Sequence, residues 1–185
     1  MAKKLDQILV IDIESTCWEG DPPAGQESEI IEIGLCTLEV ASGERLENLS
    51  ILVAPVRSHV SAYCTALTTL TQRDLQAGVP LAEACKLLED EYLSKQRLWA
   101  SYGDYDRRQF QRSCAGLGID YPFGRGHINV KSLFAVARGL HREVSLAKAM
   151  EIQGWPLEGT YHRGSDDAWN IGRLLGHLLL RARRD

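Results

Sequence analysis

The sequence predicts an α/β fold: a mixed sheet, with a three-strand antiparallel meander followed by parallel strands, flanked by helices. Three observations predict it. The first 53 residues carry three β-rich apolar runs joined by a loop and a tight turn. The hydrophobic period then changes from two to about 3.6. From there helices alternate with short strands in the order β-β-β-α-β-α-(β)-α-α, which favours helices packed on the faces of one sheet.

Residues 8–13 are β-branched and apolar on both faces, as in a buried central strand. Residues 14–28 are polar and contain Pro22 and Pro23, so they read as a loop. Residues 30–40 form a second strand, 41–44 (ASGE) a hairpin turn, and 45–53 the returning strand. Residues 80–92 place Leu81, Ala84, Cys85, Leu88 and Tyr92 at helical spacing. A short strand over 98–102 leads into a helix over 104–116, closed by glycine. Two short helices cover 130–138 and 145–152. The clearest helix spans 165–184: Ala168, Ile171, Leu175, Leu178 and Ala182 share one face, and Arg181, Arg183 and Arg184 lie where the helix dipole favours cations.

At 185 residues the chain is expected to be one domain, 1–185. Its 44% hydrophobic and 25% charged residues exclude a disordered, collagenous or membrane-spanning chain. A net charge of −4 and a pI near 5.8 argue against a general nucleic-acid binder. The charge is uneven, however: residues 1–100 carry 8 Lys/Arg and 16 Asp/Glu, whereas 101–185 carry 13 and 9. Such asymmetry suggests an electrostatic partner or an unevenly charged solvated surface. Cys17, Cys36, Cys64, Cys85 and Cys114 are odd in number and include no C-x-x-C pair. Reduced thiols and no disulfide-linked partner are therefore expected. The apolar stretch after Lys3 and Lys4 is too short for a signal segment, and no run approaches a membrane span, so a cytoplasmic location is expected.

Three clusters carry chemistry. In Asp12-Ile13-Glu14 the two carboxylates lie two apart on a strand and share a face. Adjacent anions at the end of a buried strand are costly unless a cation joins them, and oxygen ligands favour Mg²⁺ or Mn²⁺ over zinc. A strand simply leaving the core would also read this way. In Gly103-Asp104-Tyr105-Asp106 a strand passes into a helix; Asp104 is expected to cap it and Asp106 to face the site. Arg107, Arg108 and Arg112 follow, for phosphate contact or for solvent. In His162-Arg163-Gly164-Ser165-Asp166-Asp167, Gly164 lets the chain bend, Ser165 is the natural cap, and His162 and Asp167 can converge across the turn.

These motifs resemble, in order, those of the DEDDh 3′→5′ exonuclease family, which has an RNase H-like fold. More narrowly, the chain resembles the histone-mRNA and enhanced-RNAi exonuclease group. Supporting segments are DIESTCWEG (12–20), SAYCTALTTLTQRDL (61–75), ASYGDYDRRQF (100–110), NVKSLFAVARGL (129–140) and LEGTYHRGSDDAWNIGRLL (157–175), which span nearly the whole chain. One departure is Tyr161, where many relatives are expected to carry His. It is not read as the tyrosine of the DEDDy branch, because the H-x4-D spacing is intact.

The resemblance implies a five-stranded RNase H-like sheet and a nuclease core without an added RNA-binding domain. It also implies metal-dependent 3′→5′ hydrolysis of single-stranded nucleic acid, RNA rather than DNA. Asp12, Glu14, Asp106 and Asp167 would hold two Mg²⁺ or Mn²⁺ ions, and Asp12 would bridge both. One ion would activate water and the other stabilise the leaving oxygen. His162 would be the general base. Backbone groups of Ile13, Ser15 and Thr16 would meet the terminal ribose, and Leu67 the last base, unless Leu67 is plain core. Trp18 would stack on a base or merely cover the sheet, while Trp99, Trp155 and Trp169 are expected in the core. The alternatives are a DNA-directed proofreading or repair exonuclease and a catalytically silent nuclease-fold regulatory module.

Overall fold

The structure, a computed structural model, describes residues 4–183. Five strands form one mixed sheet: β1 (Lys4–Ser15), β2 (Ile30–Glu39), β3 (Arg45–Leu52), β4 (Arg97–Ser101) and β5 (His127–Asn129). Their order is β3-β2-β1-β4-β5, so the most apolar strand is central, as its composition predicts. β1–β2 and β2–β3 pair antiparallel; β1–β4 and β4–β5 pair parallel.

Among the described residues are six α-helices, α1 (Ala62–Thr68), α2 (Leu81–Asp90), α3 (Tyr105–Leu117), α4 (Val130–Ala137), α5 (Leu146–Gln153) and α6 (Gly164–Arg181), and one short 3-10 helix, Asp74–Ala77. The alternation of β1 divides the core. Leu9, Ile11 and Ile13 pack with Leu88 of α2 and Phe110 of α3. Ile8 and Val10 pack on the opposite face with Phe134 of α4, Met150 of α5 and Ile171 and Leu175 of α6. Each such fully buried side chain contributes roughly 1.5–3 kcal/mol relative to exposure.

Asp12 and Glu14 continue the Ile8–Val10 row, and Gly34 and Glu32 continue the Leu38–Cys36 row of β2. This face of the sheet is apolar beneath the body of α6 and acidic where α6 begins. Gly34 makes that approach possible. A Cβ on Gly34 would lie 1.9 Å from the carbonyl carbon of Gly164, so strand and helix meet backbone to backbone.

Several local expectations are corrected. β1 continues through Glu14 and Ser15 because these polar residues pair with Glu32 and Ile30. Helix α3 closes one residue beyond Gly116, at Leu117, with Gly118 as the left-handed cap (φ +65°). The Asp104 side chain makes no cap bond and instead pairs with Arg107 at 2.9 Å. Ser165 is not the α6 cap: the helix starts at Gly164, with Arg163 in the capping position. Asp166 and Asp167, in its first turn, reach back to accept the Thr160 and His162 N–H groups at 2.7 and 3.0 Å. The bend expected at Gly164 lies at His162, whose φ is +64°. Gly164 is needed for space, since its Cβ would sit 3.0 Å from the Asp12 carbonyl oxygen.

Helix α1 escapes the periodicity because it buries only Cys64 and Thr68. Its legible signal was Ser61, whose hydroxyl accepts the Cys64 N–H at 3.0 Å. Trp99 is core, whereas Trp155 and Trp169 are half-buried beneath the Arg173 and Arg45 guanidinium groups at 4.4 and 4.1 Å. All five cysteines are free thiols. Among the described residues no helix is long and apolar enough to cross a membrane. Lys3 and Arg184 lie outside the described residues.

Candidate active site

β1, α3 and α6 bring the three acidic motifs to one cleft of about 320 Å³. Asp12, Glu14, Asp106, His162 and Asp167 all line it. β1 delivers Asp12 and Glu14 on one face. Asp106 sits in the first turn of α3, and its Oδ1 accepts the Ile13 N–H at 3.0 Å, which ties α3 to the central strand. Asp167, in the first turn of α6, holds the His162 backbone N–H with Oδ2. Ligand atoms of Glu14, His162 and Asp167 all lie within 4.8 Å of one another.

The electrostatics are those of crowded anions. Burial, then the charges of Asp106, Asp167, Glu14 and Glu32, hold the Asp12 carboxyl well above the usual range. Glu14 is pushed up to about 9 by burial and then by Asp167, Glu32 and Asp106. Burial raises Asp167 to about 7 and Asp106 to about 6, each opposed by the backbone N–H it accepts. Burial lowers the His162 imidazole below its ordinary value, favouring the neutral ring. The buried Asp167 Oδ1 has no hydrogen-bond partner. Carboxylates that repel one another, together with an orphaned buried oxygen, fit a hard divalent cation.

His162 occupies the left-handed region, which is uncommon for a non-glycine residue and several-fold enriched in His. The Tyr161 ring lies against the imidazole at 4.0 Å between centroids.

The support behind this turn is not visible in any local sequence motif. Glu32 is fully buried on β2, opposite Glu14. It accepts Arg163 Nε at 3.1 Å and a second Arg163 nitrogen at 3.2 Å, the Gly164 N–H at 3.0 Å and the Ser50 hydroxyl at 2.6 Å. This network fixes the residues that follow His162. An isolated Glu within the apolar run IIEIGLCTL was the available signal.

The expected substrate contacts divide. Ile13 lines the cleft, but its N–H is held by Asp106. Thr16 is fully buried and donates its N–H to the Glu29 carbonyl at 2.8 Å. Ser15 is buried, and its hydroxyl has no partner among the described residues. Leu67 is half-buried on α1, outside the apolar clusters of the described residues, and does not line the acidic cleft. Trp18, also half-buried, does not line it either. Two cleft residues that went unread are Lys131 and Tyr102.

The sequence profile of the RNase T exonuclease family matches residues 9–175. The chain belongs to this family. Within it, the chain is similar to the 3′-5′ exonuclease Snipper of Drosophila melanogaster, with 26% identity over 91% of this chain and 67% of that protein. It is also similar to human 3′-5′ exoribonuclease 1, with 28% identity over 94% of this chain and 52% of that protein. It therefore spans about two thirds of the fly protein and about half of the human one. The nuclease domain of 3′hExo, a DEDDh member solved with bound rAMP, superposes with a TM-score of 0.87 and 26% identity, covering 98% of this chain and 95% of that one. The RNase H-like DEDDh resemblance drawn from the motifs therefore holds.

Proposed function

We propose that the chain is a single metal-dependent exonuclease domain that hydrolyses single-stranded RNA from its 3′ end. The observation carrying this reading is the convergence of Glu14, His162 and Asp167 within 4.8 Å, in a cleft that also holds Asp12 and Asp106. The choice of RNA is supported by the names of the relatives, exoribonuclease 1 among them, and by the rAMP bound to the 3′hExo domain.

Asp12, Glu14, Asp106 and Asp167 would hold two Mg²⁺ or Mn²⁺ ions. Bound there, such ions would neutralise the carboxylates, make a water more acidic and stabilise charge on the departing oxygen. The remaining work falls to the chain. His162, neutral through burial, takes a proton from the attacking water. Its backbone is fixed by Asp167, and the next residue by the Glu32–Arg163 pair. The Ile13–Asp106 bond keeps the two sides of the cleft in register.

A 5′-labelled single-stranded RNA tests the assignment. With Mg²⁺ or Mn²⁺, a ladder of fragments shortened from the 3′ end is expected, and chelator abolishes it. Binding without cleavage under either metal contradicts the enzyme and supports a regulatory module.

A further inference from the structure

The acidic cleft does not end at the carboxylates. Tyr102, Tyr105 and Lys131 line both it and a second cleft of about 400 Å³, whose walls include Arg108, Ser132 and Glu143. The two form one trough, running from His162 past the start of α3 to the β5–α4 junction. Two other surface clefts, one beside Arg112 and one beside Arg107, share no lining residue with the acidic cleft.

The charge changes along this trough. At the His162 end lie four carboxylates, and Lys131 is the sole Lys or Arg in that lining. In the second cleft Arg108 joins Lys131, and the carboxylates fall to two, Asp104 and Glu143. Arg108 is exposed and has no ion-pair partner among the described residues. Its neighbours are occupied elsewhere. Arg107 neutralises Asp104 at 2.9 Å, and Arg112 donates to Gln109. Glu143 accepts from the Ser132 hydroxyl and holds Lys131 only loosely, at 3.9 Å.

We propose that Arg108 and Lys131 form a subsite for a phosphodiester group of the strand upstream of the bond being cut, so that the site favours an oligonucleotide over a lone nucleotide ester. The inference rests on the exonuclease reading. A polynucleotide placed with its last phosphodiester among the carboxylates carries its next phosphate outside them, because successive phosphates are a whole nucleotide apart. The trough offers a continuous path; along it lie Arg108, with no ion-pair partner among the described residues, and Lys131, which Glu143 holds at 3.9 Å. Arg presents a planar fork of donors to phosphate and Lys a mobile point charge.

The test compares kcat/KM on a single-stranded RNA oligonucleotide and on the p-nitrophenyl ester of a nucleoside 5′-monophosphate, which has one phosphodiester and no upstream strand. The readout is the ratio of the two. In the double variant Arg108→Gln, Lys131→Gln this ratio falls about 10-fold, mainly through KM on the oligonucleotide. The salt dependence on RNA becomes shallower by about 0.7 in log–log slope for the lost phosphate contact. Arg108→Lys retains most of the ratio. Arg108→Gln alone, at an exposed position, gives a partial fall and guards against misfolding of the double variant. An unchanged ratio and salt slope, in variants with the wild-type Tm, overturn the subsite. A wild-type chain that cleaves neither substrate with Mg²⁺ or Mn²⁺ overturns the exonuclease reading and the subsite with it.

Discussion

His162→Asn is expected to lower kcat by about 10²–10⁴-fold while leaving the fold and divalent-metal uptake intact. Asparagine is the informative replacement because residue 162 has φ +64°. Asn tolerates the left-handed region, whereas the same position in His162→Ala adds backbone strain to the loss of the imidazole. His162→Ala should also lose most activity, and the two variants together separate chemistry from conformation. The pH profile gives a second signature. Burial lowers the imidazole pKa, so the wild-type rate should climb with pH along a limb centred below 6.5 and then level off. Without the imidazole that limb disappears. Near wild-type turnover by His162→Asn, or an acid limb retained at Mg²⁺ concentrations that saturate the site across the pH range, contradicts the base assignment.

Asp12→Asn is expected to abolish metal-dependent hydrolysis and to stabilise the metal-free protein. Both effects follow from the same crowding. Burial, joined at Glu14 and Asp167 by repulsion from nearby carboxylates, pushes Glu14, Asp167 and Asp106 up to about 9, 7 and 6 in the fold, from ordinary values of 4.5, 3.8 and 3.8. Between pH 4 and 9 the folded chain therefore binds more protons than the unfolded one, and stability falls as pH rises. The penalty is absent below the unfolded values and complete above the folded ones. Removing the Asp12 charge relieves part of it, so at pH 8 the metal-free variant should melt several degrees above wild type; each kcal/mol is worth about 2–4 °C in a domain of this size. The difference should vanish toward pH 4. Added Mg²⁺ or Mn²⁺ reverses the order, because wild type gains binding energy that grows with pH as the ligands deprotonate. Equal metal-free melting curves at pH 8, or undiminished hydrolysis by Asp12→Asn, contradict the assignment.

What was legible in the sequence was whatever depends on local pattern. The apolar run before Asp12 identified a central strand, and the two-residue spacing put Asp12 and Glu14 on one face. Asp106 and Asp167 were legible because each lies in the first turn of a helix with a local signature, a closing glycine for the first and an apolar face for the second. What depends on contact between distant segments was hidden. Nothing local says that Glu32 receives Arg163, 131 residues away, or that Gly34 must be small because Gly164 arrives there. Arg163 counted toward the basic half of the chain but is engaged by Glu32. Arg183 likewise donates to the Ala41 carbonyl at 2.8 Å. The net charge of −4 was misleading for the same reason. Four carboxylates and one cation line the first cleft, whereas the next has two of each, with its Asp104 already paired to Arg107, so the trough is polarised in a way that the sum conceals.

The central claim is cleavage from a 3′ end at this cleft. Its most direct test is a side-by-side measurement of rates on matched RNA and DNA oligonucleotides, each with a free or a blocked 3′-hydroxyl, in the presence of Mg²⁺. The prediction is stepwise shortening of RNA that is fastest with a free 3′ end, strongly slowed by the block and slower on DNA. Equal rates on blocked and free ends, or internal fragments in place of terminal nucleotides, would contradict it.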